Sequence, residues 1–563
     1  MSLTASFQSA VSGMNAARAG LYVVGHNLAN QETPGYVRQQ TLQSFFYPQN
    51  IGANASGKLQ VGLGTDIAAI RQIRDKYLDQ AYREEASAYG FYSAKYSAAV
   101  EIDYILGELE SEYKLGDVLD DIYSALNELS INPSALETRA NFIETCVTFV
   151  SKTNDIYDRL LSYQENLNDK IKDDVRQIND LVAEVNALNP KIAMAEASGD
   201  NANDYRDARN LAIDKLSALI GVIVKERPNG YVELQTESGA PLLSGGAVNR
   251  IGLRYSSPNL DFVEPVFTES DTILPYDPTN KNADPLFDFS RGVNGDTGEL
   301  KGLIIARGYA PHNYAMAAGT LDENDPAEAK LAWSARNCQI PQVQIALDTL
   351  VRSVCVMINN AVAPYDPATG EKDAANAPYG LDGSQFTEVF SRKYVSRWNG
   401  DDYNPETASD PYSLYSIGNI TVNPAILGVA DYDKIPLSYS GDQGDQSALL
   451  DLIEKWKTGW EDGAGNKFTA LNGEEPVSVG QFYRQMITAA GSEGAQAKSM
   501  AESGQIVLNQ LDNRRLAVSG VSADEEMTNM LTYQHAYNAS ARLLNVLDSM
   551  MDKLVNGTGR VGL

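Results

Sequence analysis

Residues 3–28, LTASFQSAVSGMNAARAGLYVVGHNL, place apolar or small side chains at steps of four and three: Leu3, Phe7, Ala10, Met14, Ala17, Leu21, Val24 and Leu28. Residues 530–554, MLTYQHAYNASARLLNVLDSMMDKL, repeat the device at Met530, Tyr533, Tyr537, Ser540, Leu544, Leu547, Met551 and Leu554. A repeat of about 3.5 residues marks a helix with a narrow seam turned to a partner helix. Two such helices at opposite ends of one chain predict that the ends pair with each other and with neighbouring copies. The expected fold is multidomain and mainly α with β-rich insertions. The terminal helices form a coiled coil, followed by a bundle of long helices and outer β or loop segments.

Working inward, the first helix is expected to end near Asn30, followed by Thr33-Pro34-Gly35-Tyr36. Proline presets the second turn position and glycine allows positive φ at the third, a type II turn. A polar, Gly-rich passage leads to Val61-Gly62-Leu63-Gly64. Helices are then expected over about 74–112, with Leu78, Ala81, Tyr89, Tyr92, Tyr96, Ala99 and Leu106 on one face, and over 116–130, 135–163, 164–197 and 204–220. The 164–197 seam runs through Ile171, Ile178, Leu181, Val185, Leu188, Ile192 and Ala195, with Asp174 as its polar exception. Pro228-Asn229-Gly230 between two β-rich runs predicts a hairpin. Five prolines fall between 258 and 285 and seven between 364 and 436, which reads as short strands and loops. Helix is expected again at 300–305, 327–363, 446–457 and 477–513. Ser522-Ala523-Asp524-Glu525 reads as a capping box for the last helix, and Asn556-Gly557 as its end.

The implied division is nested. Residues 1–45 and 515–563 make a terminal assembly domain. Residues 46–220, 297–365 and 440–514 make a helical bundle, and 221–296 and 366–439 make the outer β-rich part.

With 563 residues, the chain is too long for one core. Its net charge of −29 comes without a basic cluster, so no nucleic acid is expected as partner. Residues 1–74 run against this trend, with five Arg or Lys against Glu32 and Asp66. No run of about eighteen apolar residues suggests membrane insertion, and the start does not resemble a cleaved signal peptide. Cys146, Cys338 and Cys355 read as buried small hydrophobes and not as a disulfide framework.

Catalytic readings fail on spacing. His26, His312 and His535 are far apart, which argues against a zinc site. Gly62-Leu63-Gly64 lacks the rest of a dinucleotide fingerprint. Asp366-Pro367-Ala368-Thr369-Gly370 lacks calcium-loop ligand spacing, and no G-x-S-x-G elbow occurs. No enzyme, cofactor or metal is expected. An alternative is a surface adhesin that binds sugar through Trp398, Tyr403, Tyr412 or Tyr415 and uses its ends only as an anchor.

Asn27-Leu28-Ala29-Asn30 followed by Thr33-Pro34-Gly35-Tyr36 resembles the motif of bacterial flagellar axial proteins of the rod, hook and hook-associated kinds. Val37-Arg38-Gln39, Ile70-Arg71-Gln72-Ile73-Arg74-Asp75, Asn186-Ala187-Leu188-Asn189, Tyr205-Arg206-Asp207 and Tyr533-Gln534-His535-Ala536-Tyr537 narrow the resemblance to the hook-associated protein 1 family. One departure is Asp207-Ala208-Arg209-Asn210, where that family more often reads DQRD. The resemblance implies a structural part outside the cell at the hook–filament junction, built as a ring of copies. It implies hook protein on one side and hook-associated protein 3 on the other. It also implies type III export without a cleaved signal peptide, and a cytoplasmic chaperone on the C-terminal region. A hook or distal-rod protein of the same family is the nearest rival.

The physics suits such a role. A large seam residue contributes about 1.5–3 kcal/mol on full burial, while ordering the backbone costs about 1–2 kcal/mol per residue. Ala10, Ala17 and Ser540 bury little, so the free ends are expected to be marginal until neighbours cover them.

Overall fold

The computed structural model describes residues 3–557 apart from 47–48, 55–56, 108–113, 258–259, 269–271, 277–296, 318–320, 322–324, 408–409, 462–467, 470 and 472–474. Expectations for 277–296 therefore lie outside the described residues, as does the side chain of Leu3. The fold is mixed α/β with long terminal helices and internal sheets. It divides into two units, one of 1–89, 177–250 and 503–563 and one of 90–176 and 251–502.

In the first unit, helix α1 (Leu3–Ala29) packs along α12 (Ala523–Asp552). The polar, Gly-rich segment after the motif forms strands. Strands β1 (Gln39–Phe45) and β4 (Thr65–Gln72) form an antiparallel pair, and β2 (Gln49–Asn54) pairs with β3 (Gly57–Val61). Most described residues of β1 are exposed, so no apolar alternation announces the strand. The expected hairpin at 228–230 joins β5 (Val222–Glu226) to β6 (Val232–Thr236), and β7 (Pro241–Ser244) and β8 (Ala247–Val248) complete a four-stranded sheet. Helix α5 (Asn203–Leu219) precedes this sheet. Buried Arg209 on α5 ties the two together, donating to the Gly230 carbonyl at 2.6 Å and to Asn189 Oδ1 at 3.1 Å.

In the long central region, α2 (Lys76–Leu106) and α3 (Leu115–Ile131) are followed by α4, which runs unbroken over Leu136–Ala197. The two helices expected at 135–163 and 164–197 are therefore one. No glycine or proline interrupts 136–189, and the buried row through Phe149, Ile156, Leu160, Leu167 and Ile171 continues across the expected break. The reverse correction applies at 327–363. There α8 (Pro326–Asn337) and α9 (Gln339–Val362) are separate, with Cys338 extended between them. In a continuous helix the ring of Pro341 would clash with the Asn337 carbonyl.

Helix α9 is the core of the second unit. It is long and apolar enough to cross a membrane by length and composition, contrary to the sequence expectation, but most of it is buried within the protein. Helices α6 (Glu299–Arg307), α7 (Tyr314–Ala317), α8 and α10 (Ser447–Thr458) pack on it. A row of polar side chains on α9 holds irregular backbone around it. Gln344 accepts from His312 N at 3.0 Å, and Asp348 accepts from Tyr314 N at 3.0 Å and Ile417 N at 2.7 Å. Arg352 donates to Glu406 at 2.8 Å, and Asn359 accepts from Val389 N and Phe390 N, each at 3.0 Å. The Pro-rich passage 364–436 gains its shape from these anchors, with only short strands at Phe390–Arg392, Trp398–Asn399, Asp402–Tyr403 and Ile420–Val422. Helix α11 (Val479–Ser519) leads back to α12.

Candidate functional site

The candidate site is the pair of terminal helices with the turn that ties them. Its inner contact is a column of close pairs running in opposite directions. A Cβ on Gly13 would lie 3.0 Å from Ser540 Oγ, and one on Gly20 would lie 2.5 Å from the Tyr533 ring. The Asn27 carboxamide meets Glu526 Oε2 at 3.1 Å. These positions step by seven along both helices, so the pair is antiparallel and shares one heptad register. Buried Ala10, Ala17 and Val24 lie three or four residues from Gly13, Gly20 and Asn27, on the same face.

The expected seam residues divide into two groups. Ala10, Ala17 and Val24 are buried, Met14, Leu21 and Leu28 are half-buried, and Phe7 is exposed. On α12, Leu547 is buried, while Met530, Tyr533, Tyr537, Ser540 and Leu544 are half-buried. Met551 and Leu554 are exposed. The contact stripe of α1 is thus displaced by one residue from Met14, Leu21 and Leu28 onto Gly13, Gly20 and Asn27. Glycine and asparagine carry no apolar signal, so a search for hydrophobic periodicity passes over them. Their constant spacing of seven is the sequence trace that could have found them.

The motif residues Asn27, Leu28, Ala29, Asn30, Thr33, Pro34, Gly35 and Tyr36 end α1 and build the turn. Tyr36 N donates to the Thr33 carbonyl at 3.1 Å and Gly35 has φ +79°, as the type II turn requires. The turn folds back so that Tyr36 Oη donates to Asn27 Oδ1 at 2.8 Å, with His26 Nδ1 at 2.9 Å from the same hydroxyl. Burial and the carboxylates of Asp204, Asp207 and Glu526 push the Tyr36 phenol well above its ordinary pKa, which keeps it a neutral donor. Asn27 also accepts from Gln39 N at 3.0 Å and donates to the Gln39 carbonyl at 2.9 Å. Every hydrogen-bonding atom of this buried carboxamide therefore has a partner.

Arg38 completes the connection. Its guanidinium donates to buried Glu526 at 2.8 Å and to exposed Glu525 at 2.9 Å, and its backbone N donates to the Ser519 carbonyl at 2.8 Å. The acidic first turn of α12 is thus used to grip the motif. Ser522 does stand at the N-cap, but its side chain makes no capping bond, so the expected capping box is not formed. On the other side of the turn, Asp207 accepts from Val37 N at 3.1 Å and Gln72 Nε2 at 2.7 Å. Burial outweighs these bonds and the charge of Arg74, and pushes the Asp207 carboxyl up to about 7. Behind it, Arg515 bridges Asp79 at 3.1 Å and Asp214 at 2.6 Å, and Arg83 pairs with the same Asp214 at 2.6 Å. Asn210, which with Ala208 departs from the family pattern, accepts from Arg83 at 3.3 Å.

Two family models match this chain. The flagellar hook-associated protein FlgK helical domain matches residues 99–323, and the flagellar basal body rod FlgEFG protein C-terminal matches 513–557. "Flagellar hook-associated protein 1" of Bacillus subtilis is 27% identical over 98% of both chains. The protein of the same name from Escherichia coli is 23% identical over 98% of this chain and 100% of its own. The chain is similar to flagellar hook-associated proteins over nearly its whole length. It is similar in fold to the flagellar hook junction protein FlgK from Burkholderia pseudomallei, with a TM-score of 0.55 and 13% identity over 78% of this chain and 100% of that one.

Members of this family are structural axial components of the flagellum, outside the cell, and they assemble with other flagellar components. No group of three or more metal-ligating side chains occurs among the described residues. The residues raised for sugar binding do not form one platform. Tyr415 is buried against Glu388 and Arg397, and Trp398 and Tyr403 lie around the Arg397 guanidinium. Tyr412 is exposed, with its ring 4.9 Å from that of Tyr394 and edge-on to it.

Proposed function

We propose that this protein forms the junction between flagellar hook and filament, and that copies assemble through the outer faces of the paired terminal helices. The observation that carries this reading is a second apolar stripe on α12. Leu543, Val546 and Met550 are 46%, 51% and 49% exposed, and steps of three and four put them on one face. Phe7, Met14, Leu21 and Leu28 make a matching, partly open stripe on α1. An apolar face of this size calls for a partner. The names of the similar proteins, hook-associated protein 1 and hook junction protein, support the junction as the place where that partner is found.

In this reading 1–45 and 515–563 are the assembly part, and the terminal pair is a coiled coil closed by the buried Ala10, Ala17, Val24 and Leu547, with Phe7, Met14, Leu21 and Leu28 turned outward. The helical bundle and the outer β-rich part complete the nested division. The neighbours are other copies in a ring, hook protein on one side and hook-associated protein 3 on the other. The chain travels unfolded through the type III apparatus, with a cytoplasmic chaperone on its C-terminal region. Open outer stripes suit that route, since the terminal pair gains its full burial only at the growing tip. Deleting the gene tests the reading. Hooks without filaments, with flagellin shed into the medium, are expected. Normal filaments, or cells without hooks, would contradict it.

A further inference from the structure

The size pattern of the α1–α12 contact is nearly blind to a slip of one heptad. Tyr533 rests on Gly20, and a shift of α12 by seven residues would set it on Gly13, which is equally small. The same shift sets Ser540 opposite Ser6. Glu526 finds nothing suitable, for it would face Gly20 and lose both Asn27 and Arg38, while Tyr533 would lose its 3.3 Å contact with Thr41. In the observed register its carboxylate is almost fully buried, bonded to Asn27 Nδ2 at 3.1 Å and to Arg38 at 2.8 Å. An uncompensated buried charge is costly, whereas a paired one is tolerated, and a single buried polar position can fix the register of packed helices.

We infer that Glu526, held by Asn27 and Arg38, is the positioning residue that sets the register of the terminal helix pair. The motif turn is then an internal clasp, and it fixes where the outer stripes of α1 and α12 stand when the next copy arrives. The inference rests on reading these helices as assembly elements, but its test uses the isolated full chain. It can fail while the junction role holds, and the reverse.

The test is disulfide trapping. The three native cysteines are buried and unpaired. Gly13→Cys with Ser540→Cys reports the observed register, because a Cβ on Gly13 lies 4.0 Å from Ser540 Cβ, within disulfide reach. Ser6→Cys with Ser540→Cys reports the slipped one. In the observed register these two lie a heptad apart, about 10 Å along the axis, too far to bridge. In the otherwise unchanged chain the first pair is expected to close and the second to stay open. Glu526→Leu should lower the ratio of the first product to the second about tenfold or more, and Glu526→Gln, whose single side-chain oxygen replaces only one of the two acceptors that Asn27 and Arg38 use, should restore it in part. Should Glu526→Leu fail to fold by circular dichroism, Asn27→Ala is the second variant, with the same shift toward the second product expected. A ratio unchanged in the folded variant would overturn the inference. So would loss of both products with helicity intact, since the clasp would then hold the helices together without choosing their register.

Discussion

Gly20 lies beneath the ring of Tyr533, while a Cβ on Gly25 would meet nothing within 4 Å. The same substitution should therefore act in opposite directions five residues apart. Gly20→Ala forces the ring outward and should destabilise the terminal pair by about 1–3 kcal/mol. Gly25→Ala only restricts the unfolded backbone and should stabilise it by about 0.5–1 kcal/mol. Hydrogen exchange of the α1 amides reads both, since it reports the local opening energy. Asp174, the polar exception in the α4 seam, gives a different handle. It is buried, and its Oδ2 meets no hydrogen-bond partner among the described residues. Burial, followed by the charges of Glu299 and Asp173, pushes its carboxyl up to about 7. A folded pKa above the unfolded value means that the protonated form is the one the fold favours. That contribution is complete below about pH 4 and is lost as pH rises through about 7. Asp174→Asn keeps the neutral shape at every pH. It should raise stability at pH 8 by on the order of 2 kcal/mol and leave it unchanged at pH 4. Calorimetry at the two pH values checks the sign.

Elements differ in how openly the sequence declares them. The terminal helices, the 222–236 hairpin and the Pro-rich short strands could be read from period and turn residues alone. Strands β1–β4 could not, because β1 has no alternating buried face to betray it. The unbroken α4 was hidden by its length, and the break at Cys338 by the apolar character on both sides of it. At the candidate site, the apolar stripes were legible and the glycine column was not, since close packing there comes from missing side chains. The clasp was legible only as a motif. Its bonds join Asn27 to Glu526 across 499 residues and Val37 to Asp207 across 170, and no local pattern records such a pairing. The polar row of α9 belongs to the same class. Asn359 closes three backbone bonds to Val389 and Phe390, within 2.7–3.0 Å. Asn359→Leu would leave those groups unpaired in the core, at a cost of about 3 kcal/mol or more. Limited proteolysis should then cut within 390–425 faster than in the unchanged chain, while the terminal helices keep their protection.

For the whole molecule, the account separates what holds the subunit together from what joins it to others. The inner glycine column and the clasp belong to the subunit. The outer stripes belong to assembly. Leu543→Glu combined with Met550→Glu places charge on the outer stripe without touching Gly13, Gly20, Asn27 or their partners. The expected product keeps the helicity and the melting profile of the unchanged chain, yet fails to restore filaments to cells lacking the gene. Rescue at ordinary filament number would remove the outer stripe from the assembly role. The central claim is the place of the protein in the flagellum, and labelling tests it most directly. Gold-tagged antibodies against the exposed surface around Tyr394 and Tyr412 should decorate detached flagella as a single narrow band where the curved hook meets the filament. Label along the length of the hook, along the filament, or at the rod would contradict the account.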